Sequence, residues 1–170
     1  YTHLIARKVR ELGVYAEVRA SETPAAELTH ARGVIISGGP SSVYEEGSPT
    51  IDPALLRSGQ AMLGICYGQQ LMSYLLDGEV RKGDKGEYGI AHLELGASNG
   101  NPLFAGVKDS QQVWMSHRDT VYRPPSGFSV LASTSTCAVA AIGNPETRQY
   151  AVQFHTEVVH THEGRKILHN

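Results

Sequence analysis

The stretch Gly64-Ile65-Cys66-Tyr67-Gly68-Gln69-Gln70 decides how the rest of the chain is read. Before it, Ala61-Met62-Leu63-Gly64-Ile65 is a short apolar run that predicts a buried strand. After it, Gln69 to Leu76 places Leu71, Met72, Leu75 and Leu76 on one face at helical spacing. Cys66 therefore falls at a strand-to-helix turn, bracketed by glycines. Gly-x-Cys-x-Gly has the form of a nucleophile elbow, a sharp turn that lifts one side chain over a helix N-terminus. A thiol placed there is favoured as a thiolate by the partial positive charge of the helix start and by any nearby imidazole. The alternative is a small apolar core cysteine, since free Cys is commonly buried.

The same β-then-α order extends on both sides. Ile5, Val9 and Leu12 recur at i, i+4 and i+7 within Thr2–Leu12, which predicts an amphipathic helix stopped by Gly13. Val14–Val18 alternates as a strand, Pro24–Leu28 is a helical turn, and Gly33–Ser37 is an apolar run expected to be buried on both faces. A second helical segment covers Pro53–Ser58. Beyond Gly78 the period changes from 3.6 to 2. Strands are expected at Tyr88–Leu95, Gln112–Met115, Phe128–Ala132, Ala138–Ile142 and Gln149–Phe154, and a closing helix at Glu163–His169. The expectation is one α/β domain over residues 1–170, a mainly parallel open sheet flanked by helices whose second half is rich in antiparallel strands. An alternating fold normally begins with a strand, yet this chain opens on a helix, so the first strand of the sheet is expected to be missing.

Composition limits the function classes. A 170-residue chain, 41% hydrophobic and with a formal net charge of −2, suits one globular core. No basic run argues for nucleic acid or an anionic membrane surface, and no apolar stretch approaches the ~20 residues of a bilayer span. The chain starts at Tyr1 without a basic-then-apolar leader, and two cysteines make no disulfide framework; a reducing, cytoplasmic setting is expected.

A nucleophile needs a base, and the base needs an orienting partner. His155 follows a predicted strand directly and Glu157 lies two residues on, where an extended chain projects both side chains to one side. Ser37-Gly38-Gly39-Pro40 ends another strand with backbone N–H groups open to approach, as an oxyanion hole requires. The alternatives are a simple turn or an ATP-pyrophosphatase loop, which also begins Ser-Gly-Gly but needs an Asp near Ser41 that this chain lacks. His155, His160 and His162 lack a second Cys, Asp or Glu cluster to complete a metal site, so no metal is expected.

Together, GICYGQQ, His155-x-Glu157 and Ser-Gly-Gly-Pro resemble the class I (triad) glutamine amidotransferases. Tyr67 in the elbow, Glu87-Tyr88-Gly89, Trp114-Met115-Ser116-His117-Arg118-Asp119, Val158-Val159-His160-Thr161 and the Thr2–Arg7 opening are similar to the amidotransferase domains of GMP synthetases, end to end. The resemblance implies glutamine hydrolysis by Cys66, His155 and Glu157, an oxyanion hole from the N–H groups of Gly39 and Tyr67, and glutamine binding by Gly38, Gly68, Gln70, Ser116 and His117. It implies no cofactor for the glutaminase half. The partner would be an ATP-pyrophosphatase domain or subunit that uses ATP and Mg to aminate xanthosine monophosphate. Tyr67 and Gln69 argue against the Cys-Leu-Gly-His-Gln elbow of carbamoyl-phosphate or anthranilate synthesis. The family usually has Pro where this chain has Thr156, which with the missing strand keeps open a catalytically idle glutamine-binding module. Val158–His162, Arg118 and Asp119 are expected to form the surface coupling the site to its partner.

Overall fold

A computed structural model describes residues 1–96 and 101–170, the side chains of residues 84 and 85 aside. The chain forms α1 (Thr2–Glu11), β1 (Gly33–Ile36), β2 (Ala61–Ile65), α2 (Tyr67–Leu75), β3 (Glu79–Leu95), β4 (Ser110–Arg123), β5 (Ser129–Ser133), β6 (Ala141–Asn144), β7 (Gln149–Val152) and α3 (Gly164–His169), with short 3-10 turns at Ala25–Leu28, Pro53–Arg57 and Pro102–Phe104. One seven-stranded sheet runs β1-β2-β7-β6-β5-β3-β4. β1, β2 and β7 are parallel neighbours; every other pairing is antiparallel. The fold is the expected α/β arrangement with an antiparallel second half, and its parallel portion is confined to three strands.

Alternation along β2 and β7 distributes side chains to two cores. On one face Leu63, Ile65, Tyr150 and Val152 pack with Ile5 of α1 and Ile167 of α3. On the other, Met62 and Ala151 pack with Leu71 and Met72 of α2. The helices thus cover both faces of the parallel strands, and the turn between β2 and α2 opens at the carboxyl end of the sheet. No helix among the described residues is long and apolar enough to cross a membrane.

Two expectations change. Val14–Val18 forms no strand, with Val14 57% and Tyr15 83% exposed. Gly33–Ile36 is a strand but is not buried on both faces, and Ile35 is 37% exposed. Both have one cause. β1 is the edge of the sheet among the described residues, and a cavity of about 1100 Å³, lined by Ile5 and Val9 of α1, Val14 to Ala20 and β1, occupies the place where a pairing strand would lie. A strand needs a neighbouring strand for its N–H and C=O groups, and among the described residues none pairs with Val14–Val18; the Val14 N–H goes to the Val9 carbonyl and the Ala16 carbonyl to the Arg10 guanidinium instead.

The glycines of the elbow are explained by contact. A Cβ on Gly68 would collide with the Ile36 carbonyl oxygen, and one on Gly64 would lie 2.6 Å from the Gly68 carbonyl oxygen and 2.8 Å from Met72 Sδ. The start of α2 therefore rests directly on the ends of β1 and β2. Gly68→Ala should force these elements apart and cost about 1–3 kcal/mol by overpacking, read as a lowered midpoint in chemical denaturation. An unchanged midpoint would mean that the junction yields freely.

Candidate active site

Cys66 joins β2 to α2 in a conformation that L-residues seldom adopt, φ 55° and ψ −108°. Its N–H donates to the Val152 carbonyl at 2.8 Å and its own carbonyl accepts from Gln69 and Gln70, which locks the turn. The strain falls on the cysteine itself, while Gly64 and Gly68 supply clearance; strained residues held by their surroundings concentrate at functional sites. Cys66 Sγ reaches out to the Ser116 carbonyl at 3.6 Å.

β7 ends at Val152, earlier than expected, and the chain bends before His155. His155 then returns to extended geometry as an isolated antiparallel bridge to Trp114, its N–H donating to the Trp114 carbonyl at 3.0 Å. Thr161 Oγ1 braces the same junction by donating to the His155 carbonyl and accepting from the Trp114 N–H. The expected pair forms: His155 Nδ1 lies 2.7 Å from Glu157 Oε1, with the residues 3% and 2% exposed. A carboxylate only accepts, so Nδ1 carries the hydrogen. The His155 pKa rises from 6.5 to about 9 because, although burial alone would lower it, the adjoining Cys66 and Glu157 outweigh that effect. The Tyr1 ring lies against the imidazole, centroids 5.0 Å apart.

Gly38 and Gly39 join this group. A Cβ on Gly38 would lie 3.1 Å from the His155 ring and 3.3 Å from Cys66 Cβ, while one on Gly39 would touch the Tyr67 ring at 3.7 Å. Tyr67 begins α2, and N–H groups of a helix's first turn lack intrahelical partners. Cys66, Tyr67, Gly38, Gly39, Ser116, His155 and Glu157 thus converge.

The other expected glutamine-binding residues lie deeper. Gly68 is packed against Ile36. Gln70, 3% exposed, donates from Nε2 to the Asp119 carbonyl at 2.8 Å and to Gln153 Oε1 at 3.1 Å. His117 is held between the Asp119 carbonyl, 2.9 Å from Nδ1, and Glu87 Oε2, 3.0 Å from Nε2. Asp119, expected on the coupling surface, is 6% exposed and has its Oδ2 buried without a partner. Alternation places odd-numbered residues of β4 inward, so its burial follows from the register. The sequence signal for Tyr1 was absent, since its position at the end of α1 says nothing about where its ring goes.

An elbow cysteine, a buried His–Glu pair and two glycines are thus gathered at the carboxyl ends of the parallel strands of an open α/β sheet, the place where such sheets bind ligands. The family model described as Glutamine amidotransferase class-I matches residues 1–170, and the chain belongs to that family. It is 52% identical over 172 residues to a GMP synthase [glutamine-hydrolyzing] from Symbiobacterium thermophilum and 47% identical to one from Caldicellulosiruptor saccharolyticus, matching in full both times. It spans about a third, 33%, of the length of each of these relatives. Among solved structures it superimposes on a GMP synthase subunit from Thermoplasma acidophilum with a TM-score of 0.85 and 31% identity, covering 98% of this chain and 84% of that one. A glutamine amidotransferase from Thermotoga maritima shares the fold, with a TM-score of 0.74 at 23% identity over 91% of this chain and 70% of that one.

Thr156, between the pair, is 3% exposed and its Oγ1 is buried without a partner. Proline there removes an unsatisfied hydroxyl, and the extended conformation it demands of the preceding residue is the one His155 already adopts. Thr156→Pro should raise stability by about 0.4–1 kcal/mol and keep the His155–Glu157 contact. A lowered melting temperature would mean that the backbone at 156 rejects proline's φ.

Proposed function

We propose that this domain hydrolyses glutamine to glutamate and ammonia through Cys66, His155 and Glu157, and supplies the ammonia to a synthetase that converts xanthosine monophosphate to GMP. The observation that carries the reading is the buried 2.7 Å His155–Glu157 contact beside an elbow cysteine. The relatives, glutamine-hydrolysing GMP synthases by name, support the choice of substrate and of acceptor.

Cys66 Sγ attacks the side-chain amide carbon of glutamine. The N–H groups of Tyr67 and Gly39 hold the developing oxyanion, each worth about 10²–10³ in rate. With a pKa near 9, His155 carries its proton at neutral pH and delivers it to the departing ammonia, while Glu157 fixes the ring and balances its charge. Water, deprotonated by the now neutral imidazole, attacks the γ-glutamyl thioester and frees Cys66. At the amino-acid end of glutamine, the unpartnered Asp119 Oδ2 offers the ammonium a hydrogen-bond acceptor, and Ser116 borders the reacting sulfur. No metal or organic cofactor enters these steps; ATP and Mg belong to the synthetase, fused or separate, in a cytoplasmic setting.

A glutamine-mimicking diazoketone should add one equivalent of mass, mapped to Cys66, and Cys66→Ala should lose both the adduct and glutamate release. Unmodified protein would favour an idle glutamine-binding module. The alkaline limb tests the base. Its pKa is raised, so the proton needed by the leaving group is present below about 9 and lost above it, and kcat/KM should fall as pH rises through about 9. Glu157→Gln removes a group that raises this pKa, so the limb should move to lower pH while kcat falls on the order of 10²–10⁴-fold. An unmoved limb would assign the titration to another group.

A further inference from the structure

A second cluster of reactive side chains lies one residue along β4 from the active site. Glu87 of β3, His117 of β4 and Cys137 of the β5–β6 loop each bring one donor atom to within 4.8 Å of the other two. His117 is 8% exposed and Cys137 2%. Three separate elements contribute, so chain proximity alone does not explain the convergence.

Each of the three is held from behind. The Asp119 carbonyl can only accept, so His117 Nδ1 must donate to it, and Nε2 is the nitrogen turned toward Glu87 Oε2 at 3.0 Å. In a neutral imidazole that nitrogen carries a lone pair, and it faces a carboxylate oxygen. Two electron-rich atoms at that distance require a cation or a proton between them. Glu87 Oε1, the other carboxylate oxygen, accepts from Thr136 Oγ1 at 2.5 Å and from Thr134 Oγ1 at 3.3 Å, leaving Oε2 for the cluster. Thr134 also ties the loop through the Cys137 N–H at 2.9 Å, and Thr120 Oγ1 lies 3.6 Å from Cys137 Sγ. A backbone carbonyl on the far nitrogen of a histidine, with hydroxyls on the far oxygen of a carboxylate, is the outer shell that orients metal ligands.

We propose that Glu87, His117 and Cys137 form a binding site for a zinc-type divalent cation, distinct from the catalytic Cys66. Imidazole, thiolate and carboxylate together suit a borderline-soft ion over Mg or Ca. Tetrahedral zinc ligands at about 2.0–2.1 Å for N and O lie about 3.3 Å apart, a few tenths beyond the 3.0 Å between His117 Nε2 and Glu87 Oε2, and a thiolate at about 2.3 Å would lie about 3.5 Å from each, inside the 4.8 Å that bounds the three donor atoms. Three protein donors leave the fourth position to solvent. Occupancy would pin β4 beside Ser116, whose carbonyl contacts Cys66 Sγ. A proton shared by His117 and Glu87 is the competing arrangement, and it leaves the thiol idle.

The chain has two cysteines, so in the Cys66→Ala protein any thiolate–cobalt bond must come from Cys137. Titrating that protein with cobalt(II) should produce a thiolate-to-cobalt charge-transfer band that saturates at one equivalent and is displaced by zinc. Glu87→Gln in the same background should weaken the affinity at least ~10-fold, and Thr136→Ala, behind Glu87, about 10-fold. Absence of the band at millimolar cobalt, with circular dichroism showing the fold intact, overturns the proposal in favour of the shared proton. A band of equal affinity in the Glu87→Gln protein overturns the three-ligand site.

Discussion

The contact between Gly68 and the Ile36 carbonyl is the constraint on which the site depends. A side chain at 68 would hold α2 away from the end of β1, and with it the N–H of Tyr67 and the turn that carries Cys66. Because the helix starts directly over the strand ends, the single residue between β2 and α2 must reverse the chain, and φ 55° at Cys66 is the geometric result. The strain persists because hydrogen bonds on both sides of the residue hold it, to Val152 before and from Gln69 and Gln70 after. Nucleophile geometry and strand–helix packing are therefore one property of the fold.

The histidine side of the site is built on the antiparallel half of the sheet. β7 is the hinge between the halves, parallel to β2 and antiparallel to β6. Its continuation carries His155 to Trp114 on β4, the strand at the opposite edge of the sheet from β1. Thr161, buried at 4%, makes two hydrogen bonds across that junction. The placement of the His155–Glu157 pair therefore depends on a bridge that brings the sheet's two ends together around the elbow.

Legibility followed the range of the interactions. The elbow, the His–Glu pair and most strands were readable because hydrophobic period and short spacings are local. The fate of Val14–Val18 was not, since β alternation reports a suitable surface and not the presence of a neighbour. The inward turn of Asp119 was missed because the exposure of one residue depends on the register of a 14-residue strand, of which only Gln112–Met115 was expected. Gln70 and His117 were expected at the site by resemblance alone, and the hydrogen bonds that commit their side chains to Asp119, Gln153 and Glu87 join positions up to 83 residues apart, beyond the reach of local pattern.

The unsatisfied polar atoms have a pattern that ties these points together. Buried polar groups are nearly always paired, and each exception calls for a cause. Among the described residues, Glu157 Oε2, Thr156 Oγ1, Asp119 Oδ2, Gln153 Nε2, Gln69 Oε1 and Ser73 Oγ are buried without partners, as are Gln60 Oε1 before β2 and Gln111 Nε2 on β4, which belong to neither arm of the site. Glu157 and Thr156 belong to the histidine arm of the site; Asp119 and Gln153 are linked through Gln70; Gln69 and Ser73 follow on α2. Leaving a buried donor or acceptor unmade costs about 1–3 kcal/mol, and a fold built for stability alone would fill these positions with apolar side chains. Polar groups held without partners beneath a strained cysteine are instead poised for what enters from outside the chain, and binding of a polar ligand there would recover part of the stability the fold gives up.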